Sequence, residues 1–234
     1  MTHDSAVATH MIVGTLGLLA YWGVLFTLKG SAVHRAAGRA TFSLLLLVVL
    51  SVGPLLLLRA GPFDPGRIVQ FTYLGLCLAT VVTIGWTAIR WKHSPERFRG
   101  LHFKVLGPVL LLLGAIVLAA GARRGEPVAM VLSWVGLAYG AAMVHFAWTR
   151  APLHPAWWMN WHLNAVCGLF TAVHGTLLAV VWRELVEPDA GPWTNAAFHV
   201  GVLAVAVAMR LWIGHKRNVP LRFTRRANVS PSIA

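Results

Sequence analysis

The sequence predicts an all-α integral membrane protein, a bundle of seven transmembrane helices with the N-terminus outside and the C-terminus inside. Seven apolar stretches fill most of the 234 residues, and short polar turns separate them. Basic residues crowd alternate turns. A membrane helix needs about 20 mostly apolar residues, because the hydrocarbon core is about 30 Å thick and each residue rises about 1.5 Å. The stretches run 10–28, 40–58, 68–90, 104–122, 127–148, 160–182 and 193–213, giving one bundle over 1–214. Residues 215–234 read as a basic cytoplasmic tail. An open sheet is excluded, since its edges would leave backbone donors unpaired in lipid.

Each stretch has its own warrant. Residues 1–10 (MTHDSAVATH) carry no Lys or Arg. A signal peptide needs a basic start, so the first stretch reads as a span. The second and fourth follow the basic turns KGSAVHRAAGR and KHSPERFRG. The third and sixth enclose Cys77 and Cys167, which read as small buried residues. The fifth carries Gly136 and Gly140, a small-xxx-small face for close helix packing. The seventh ends at the run KRNVPLRFTRR, which reads as a lipid-headgroup anchor.

Charge sets the orientation. With the N-terminus outside, 15 of the 20 Lys and Arg fall on the inner side, Arg210 among them. The outer five are Arg59, Arg67, Arg123, Arg124 and Arg183. Basic residues resist translocation and face anionic lipid, so the split predicts an integral protein of a plasma (inner) membrane of bacterial type. Glu96 is the one acid on the inner side. The net charge of +13 therefore reflects a membrane face and not a nucleic-acid partner. The Cys-x-x-Cys, covalent-haem, P-loop, His-Glu-x-x-His and Gly-x-Ser-x-Gly patterns are absent from the sequence.

Histidine remains. The chain has eleven, against seven acids. Ionisable groups at depth in a bilayer are costly and mark function by default. His174 and His199 fall at matched depth on consecutive spans, about 5–6 Å outward of the midplane at 1.5 Å per residue. His10 stands at the outer mouth of the first span. In a bundle otherwise free of buried ionisable groups, these three form an outer cluster, with His174 and His199 holding haem or, alternatively, a metal ion. On the inner side, His145 and His162 close one span and open the next, where they face each other. His34 sits in the first inner turn. Trp91, Trp148, Trp157, Trp158, Trp161 and Trp212 form the expected interface belt. The competing reading is structural, because a neutral His can hydrogen-bond a backbone carbonyl one turn away. His162 and His174 stand 12 residues apart, which leaves them about 120° apart around the helix. Two groups held by both would need ligands from different helix pairs.

His10, then His34, Arg35, Gly38 and Arg39 in an H-R-x-x-G-R turn, resemble bacterial predicted membrane proteins classed as domain of unknown function 2306. Trp161–His162 is similar to the late-helix entry of longer relatives. The second inner turn departs from that pattern, offering Glu96-Arg97 in place of His-Arg. The resemblance implies a helical shape and no activity. The His-x-x-x-Gly turn also resembles that of transmembrane b-type cytochromes.

Two functions follow from these residues. One is a redox component of an electron-transport chain that holds haem b or a His-bound metal and exchanges electrons with quinone or a membrane partner. The other is a non-catalytic accessory or scaffold subunit of a larger membrane complex. A transporter is third, since intramembrane Asp and Glu, the usual ion carriers, are missing. The orientation is testable by labelling cysteines placed at Ser5 and Ser232. A membrane-impermeant reagent added outside should label position 5 alone, and labelling of position 232 alone contradicts the arrangement.

Overall fold

The computed structural model describes residues 2–62 and 64–224. Among these the chain is helical: α1 (His3–Phe26), α2 (Ala32–Leu57), α3 (Pro65–Arg90), α4 (Pro95–Phe98), α5 (Leu101–Arg124), α6 (Pro127–Leu132), α7 (Trp134–Trp148), α8 (Trp157–Leu185) and α9 (Pro192–Lys216). Seven spans, with α6 and α7 counted as one, are long and apolar enough to cross a membrane. Among the described residues the chain is all-helical, with seven apolar spans compatible with a seven-span membrane bundle.

Most spans are longer than hydropathy alone indicates, and caps explain the starts. Thr2 and Ser5 form a reciprocal capping box that begins α1 seven residues before the apolar run. The Ser31 hydroxyl accepts from the His34 amide and starts α2, so His34 belongs to the first helical turn and not to a loop. Asp64 caps α3 ahead of Pro65, whose missing N–H costs nothing there. Gly125 ends α5 with φ +67°, a left-handed turn that a glycine adopts without a Cβ penalty.

The fifth span is broken at Ser133. The Tyr73 hydroxyl donates to the Ser133 carbonyl at 2.9 Å and accepts from the Gly136 amide at 2.9 Å. The Ser133 carbonyl also keeps its helical bond from the Leu137 amide, so the phenol's main repair is to the Gly136 amide, which lipid could not satisfy. The close-packing face is present: a Cβ at Gly140 would meet the Leu111 amide at 2.5 Å, and one at Gly136 the Leu110 carbonyl at 2.6 Å. Only glycine lets the α5 and α7 backbones approach so far.

Neighbours pack α1 on α2, α2 on α3, α3 on α8, α8 on α9, α5 on α7 and α6 on α9. Helix α8 is the hub, because Tyr21 of α1 also donates to its Val166 carbonyl at 2.9 Å. The end where α9 finishes carries most of the Lys and Arg and is called the basic end below.

That end corrects two expectations. Trp157 and Trp161 are buried, packed with Phe98, Phe103 and Phe146, so they are core and not interface belt. Trp148 and Trp212 are exposed, as a belt requires. The tail does not lie free from its start. Asn218 adopts φ +52°, and the Val219 amide bonds the Gly214 carbonyl at 2.8 Å, turning the chain back over the bundle. Phe223 then stacks on Trp161 with ring centroids 4.7 Å apart, and its carbonyl accepts from the His154 amide. Arg222 is exposed. Arg225, Arg226 and Ser232 lie outside the described residues.

Candidate functional site

Helix α8 arranges the polar groups by face. At 100° per residue, Asn160 and Asn164 share one face, and His162 points the opposite way. The structure follows this rule. Asn160 and Asn164 meet Arg210 of α9, whereas His162 Nδ1 lies 3.0 Å from the Gly85 carbonyl of α3. Three turns on, His174 faces α1. Its Nδ1 lies 3.0 Å from the Phe170 carbonyl, its ring stacks on Phe170, and Trp22 Nε1 donates to its Nε2 at 2.8 Å. The two histidines therefore belong to different helix pairs.

A carbonyl only accepts, so the ring nitrogen facing it carries the proton. This puts a proton on Nδ1 of both His162 and His174; the Trp22 donation then requires a lone pair on His174 Nε2, and the cost of a charged ring in an apolar span favours the same neutral form for His162. The same logic applies to His10. Its Nδ1 lies 2.7 Å from Ser51 Oγ, and that hydroxyl donates to the Val48 carbonyl, so His10 is the donor. In His174 both nitrogens are satisfied within the chain.

Of the expected trio His10, His174 and His199, the structure sets His199 beside α8 at the level of His174. His199 is buried and presses its Nδ1 against Gly175, the residue after His174. The two imidazoles thus share a level on adjacent faces of α8. His199 Nδ1 has no partner, while His174 is turned toward Tyr21 and Trp22. His10 bonds α2 and is not drawn into that pair.

The inner pair is corrected. His145 is exposed on α7 and does not face His162. His34 opens α2 at the same end of the bundle as His162, and α2 packs on the α3 helix that His162 faces. The His34 Nδ1 is buried without a partner. Beside it, Lys29 Nζ donates to the Val24 and Leu25 carbonyls and closes α1. Burial, and then the positive Arg217, lower the Lys29 ammonium below its ordinary range. At the same end Glu96 is held below the usual carboxylate range, chiefly by its hydrogen bonds from Arg99.

Among the described residues no group of three or more His, Cys, Asp or Glu could hold a metal ion. The cysteines Cys77 and Cys167 are free and buried. The expectation of a bundle without other buried ionisable groups is overturned by Arg210, which is 6% exposed. The sequence held a signal for it: two Asn one turn apart in an apolar span, and an Arg six residues before the end of the last helix.

No family model matches the chain, and neither a curated protein nor a solved structure matches it.

The seating of His199 on Gly175 can be measured. Gly175→Ala places a methyl against the imidazole and should cost about 1–3 kcal/mol in thermal unfolding of the detergent-solubilised protein. Adding His199→Ala should recover part of that loss, because the clash partner is gone. Fully additive costs contradict the contact.

Proposed function

We propose that the chain is a membrane redox component that holds haem b between His34 and His162 near the basic end, and passes electrons to quinone or a membrane partner. The observation that carries the reading is the state of this pair. His162 has its Nδ1–H fixed on the Gly85 carbonyl, which leaves the Nε2 lone pair without a hydrogen bond. His34, at the same end of the bundle on α2, has an orphaned Nδ1. A ligating imidazole characteristically anchors its other nitrogen on a carbonyl, which sets the tautomer and raises basicity.

The donor set favours haem over a lone metal ion. A haem brings four equatorial nitrogens and asks the protein for two axial ligands. A lone ion asks for three or more donors, and no such group is present among the described residues. Bound haem supplies one-electron chemistry, with its potential set by axial ligands and burial. The protein's part is to hold two neutral imidazoles in apolar surroundings and to keep water away with Phe42 and Ala165, which pack against Gly85. His174 and His199 offer a second such level, where Trp22 would have to release His174 Nε2. The excess of cations at the basic end supports placing that end in the cytoplasm of a bacterial cell, with the N-terminus outside.

The test is a reduced-minus-oxidised absorption spectrum and haem content of the purified protein, expressed with haem supplied. The wild type and the exposed-site variant His145→Ala should show b-type bands. His34→Ala and His162→Ala should each lose most of the haem. A wild type without bands, or full haem in both variants, overturns the proposal and leaves the accessory-subunit reading, which the small extramembrane mass favours.

A further inference from the structure

Arg210 poses a problem that the histidines do not solve. It is buried, yet its nearest polar partners are neutral. Its Nε donates to Asn164 Oδ1 at 2.5 Å and its Nη2 to Asn160 Oδ1 at 2.7 Å. A longer contact, 3.5 Å, runs from Nη2 to the Pro220 carbonyl. Its Nη1 is buried with no acceptor. The ion pairs among the described residues are Asp64–Arg67, Glu96–Arg99 and Arg183–Glu184, none of which involves Arg210. A buried cation is costly unless an anion neutralises it.

We propose that Arg210, with the turn that roofs it, is a binding site for a phosphate-type oxyanion at the basic end of the bundle. The surroundings are built for one. Asn160 Nδ2 donates to the Leu221 carbonyl at 3.0 Å, which turns Asn160 Oδ1 toward the guanidinium and fixes its plane. Gly214 has no side chain, and a Cβ there would collide with Arg210 Nη1. A cleft of about 420 Å³ opens over the Arg and is lined by His154, Gly214, His215, Asn218 and Pro220, with no carboxylate among its residues. His154 and His215 add donors on the rim. The guanidinium fork suits an oxyanion, which can take two of its N–H groups at once. Nη1 is covered by the turn over 214–220, so the anion reaches it when that turn lifts. The positive φ of Asn218 makes this turn a discrete element with a sharp corner.

The phosphate can come from a lipid headgroup, since the exposed Leu211 lines the cleft and the exposed Trp212 follows it on α9, or from free solution. The site is independent of the haem reading and survives its failure. It also explains the docked tail: Val219–Leu221 close over a charge that requires a lid.

The experiment is thermal unfolding of the purified full chain in non-ionic detergent, titrated separately with inorganic phosphate, dioctanoyl phosphatidylglycerol and phosphate-free dioctanoylglycerol. A saturable rise in Tm is expected with at least one phosphate probe and none with dioctanoylglycerol. A response to inorganic phosphate assigns a soluble anion, and a response to the phospholipid alone assigns a headgroup; either supports the site. Asn164→Asp supplies the guanidinium with a carboxylate of its own, so its apparent affinity should fall at least tenfold. Gly214→Ala, which displaces Nη1, should do the same, and the distant Arg183→Gln should match the wild type. No saturable response from the wild type, an equal response to dioctanoylglycerol, or an undiminished affinity in either folded site variant overturns the proposal.

Discussion

Hydrocarbon offers no hydrogen bonds, and every polar group inside these spans is arranged around that fact. A polar atom in lipid must find its partner in the protein or remain unsatisfied at a cost of several kcal/mol. Tyr73 repairs the broken fifth span at Ser133 because no water can do so. Thr80, Thr83, Thr87 and Thr171 each return a hydroxyl to the carbonyl one turn earlier. His162 and His174 do the equivalent with Nδ1–H, one across to α3 and one within α8. Once those obligations are met, what is left over becomes informative. The described residues leave the His34 Nδ1, the His199 Nδ1 and the Arg210 Nη1 among the few buried side-chain atoms without partners. All three sit on helices packed against or close to α8.

Helix α8 concentrates this chemistry because it touches α1, α3 and α9, and a helix turning 100° per residue delivers neighbouring positions to different partners. Asn160 and Asn164 serve α9, His162 serves α3, and His174 serves α1. The same geometry puts Gly175 under His199. Small residues at such crossings make room for rings that would otherwise hold the helices apart. The Phe- and Trp-lined basic end closes the helix from below, and Phe223 seals it by stacking on Trp161.

The helices were legible in the sequence because hydropathy over twenty residues is a strong, additive signal. Their starts were less so. A hydropathy window discounts Arg35 and Arg39, yet both ride exposed on the first turns of α2, where long side chains reach polar surroundings while their stems lie along the helix. Ser31 was the better guide, since a cap fixes a start whatever follows it. The 120° offset between His162 and His174 was readable from spacing alone, and their separate partners bear it out. Which helix each would face was not readable, because that depends on packing order in space. His145 shows the limit: adjacency across a short turn suggested a meeting with His162, but α8 packs on α3 and leaves His145 on the exposed face of α7. Arg210 and Trp161 were misplaced for a common reason. Residue type predicts an interface position for both, and the returning segment Val219–Thr224, which no periodicity announces, adds to the helix packing that makes that position interior.

Backbone carbonyls fix these histidines as neutral Nδ1–H tautomers and reserve Nε2 for a partner. Nitrogen NMR of the histidine-labelled protein in membrane mimetic reads this directly, with His162→Ala and His174→Ala assigning the two resonances. A protonated Nδ1 and an unprotonated Nε2 are expected for both residues at neutral pH. A protonated Nε2 at either residue contradicts it, since that nitrogen would then have no lone pair to accept from Trp22 or to bind a haem iron.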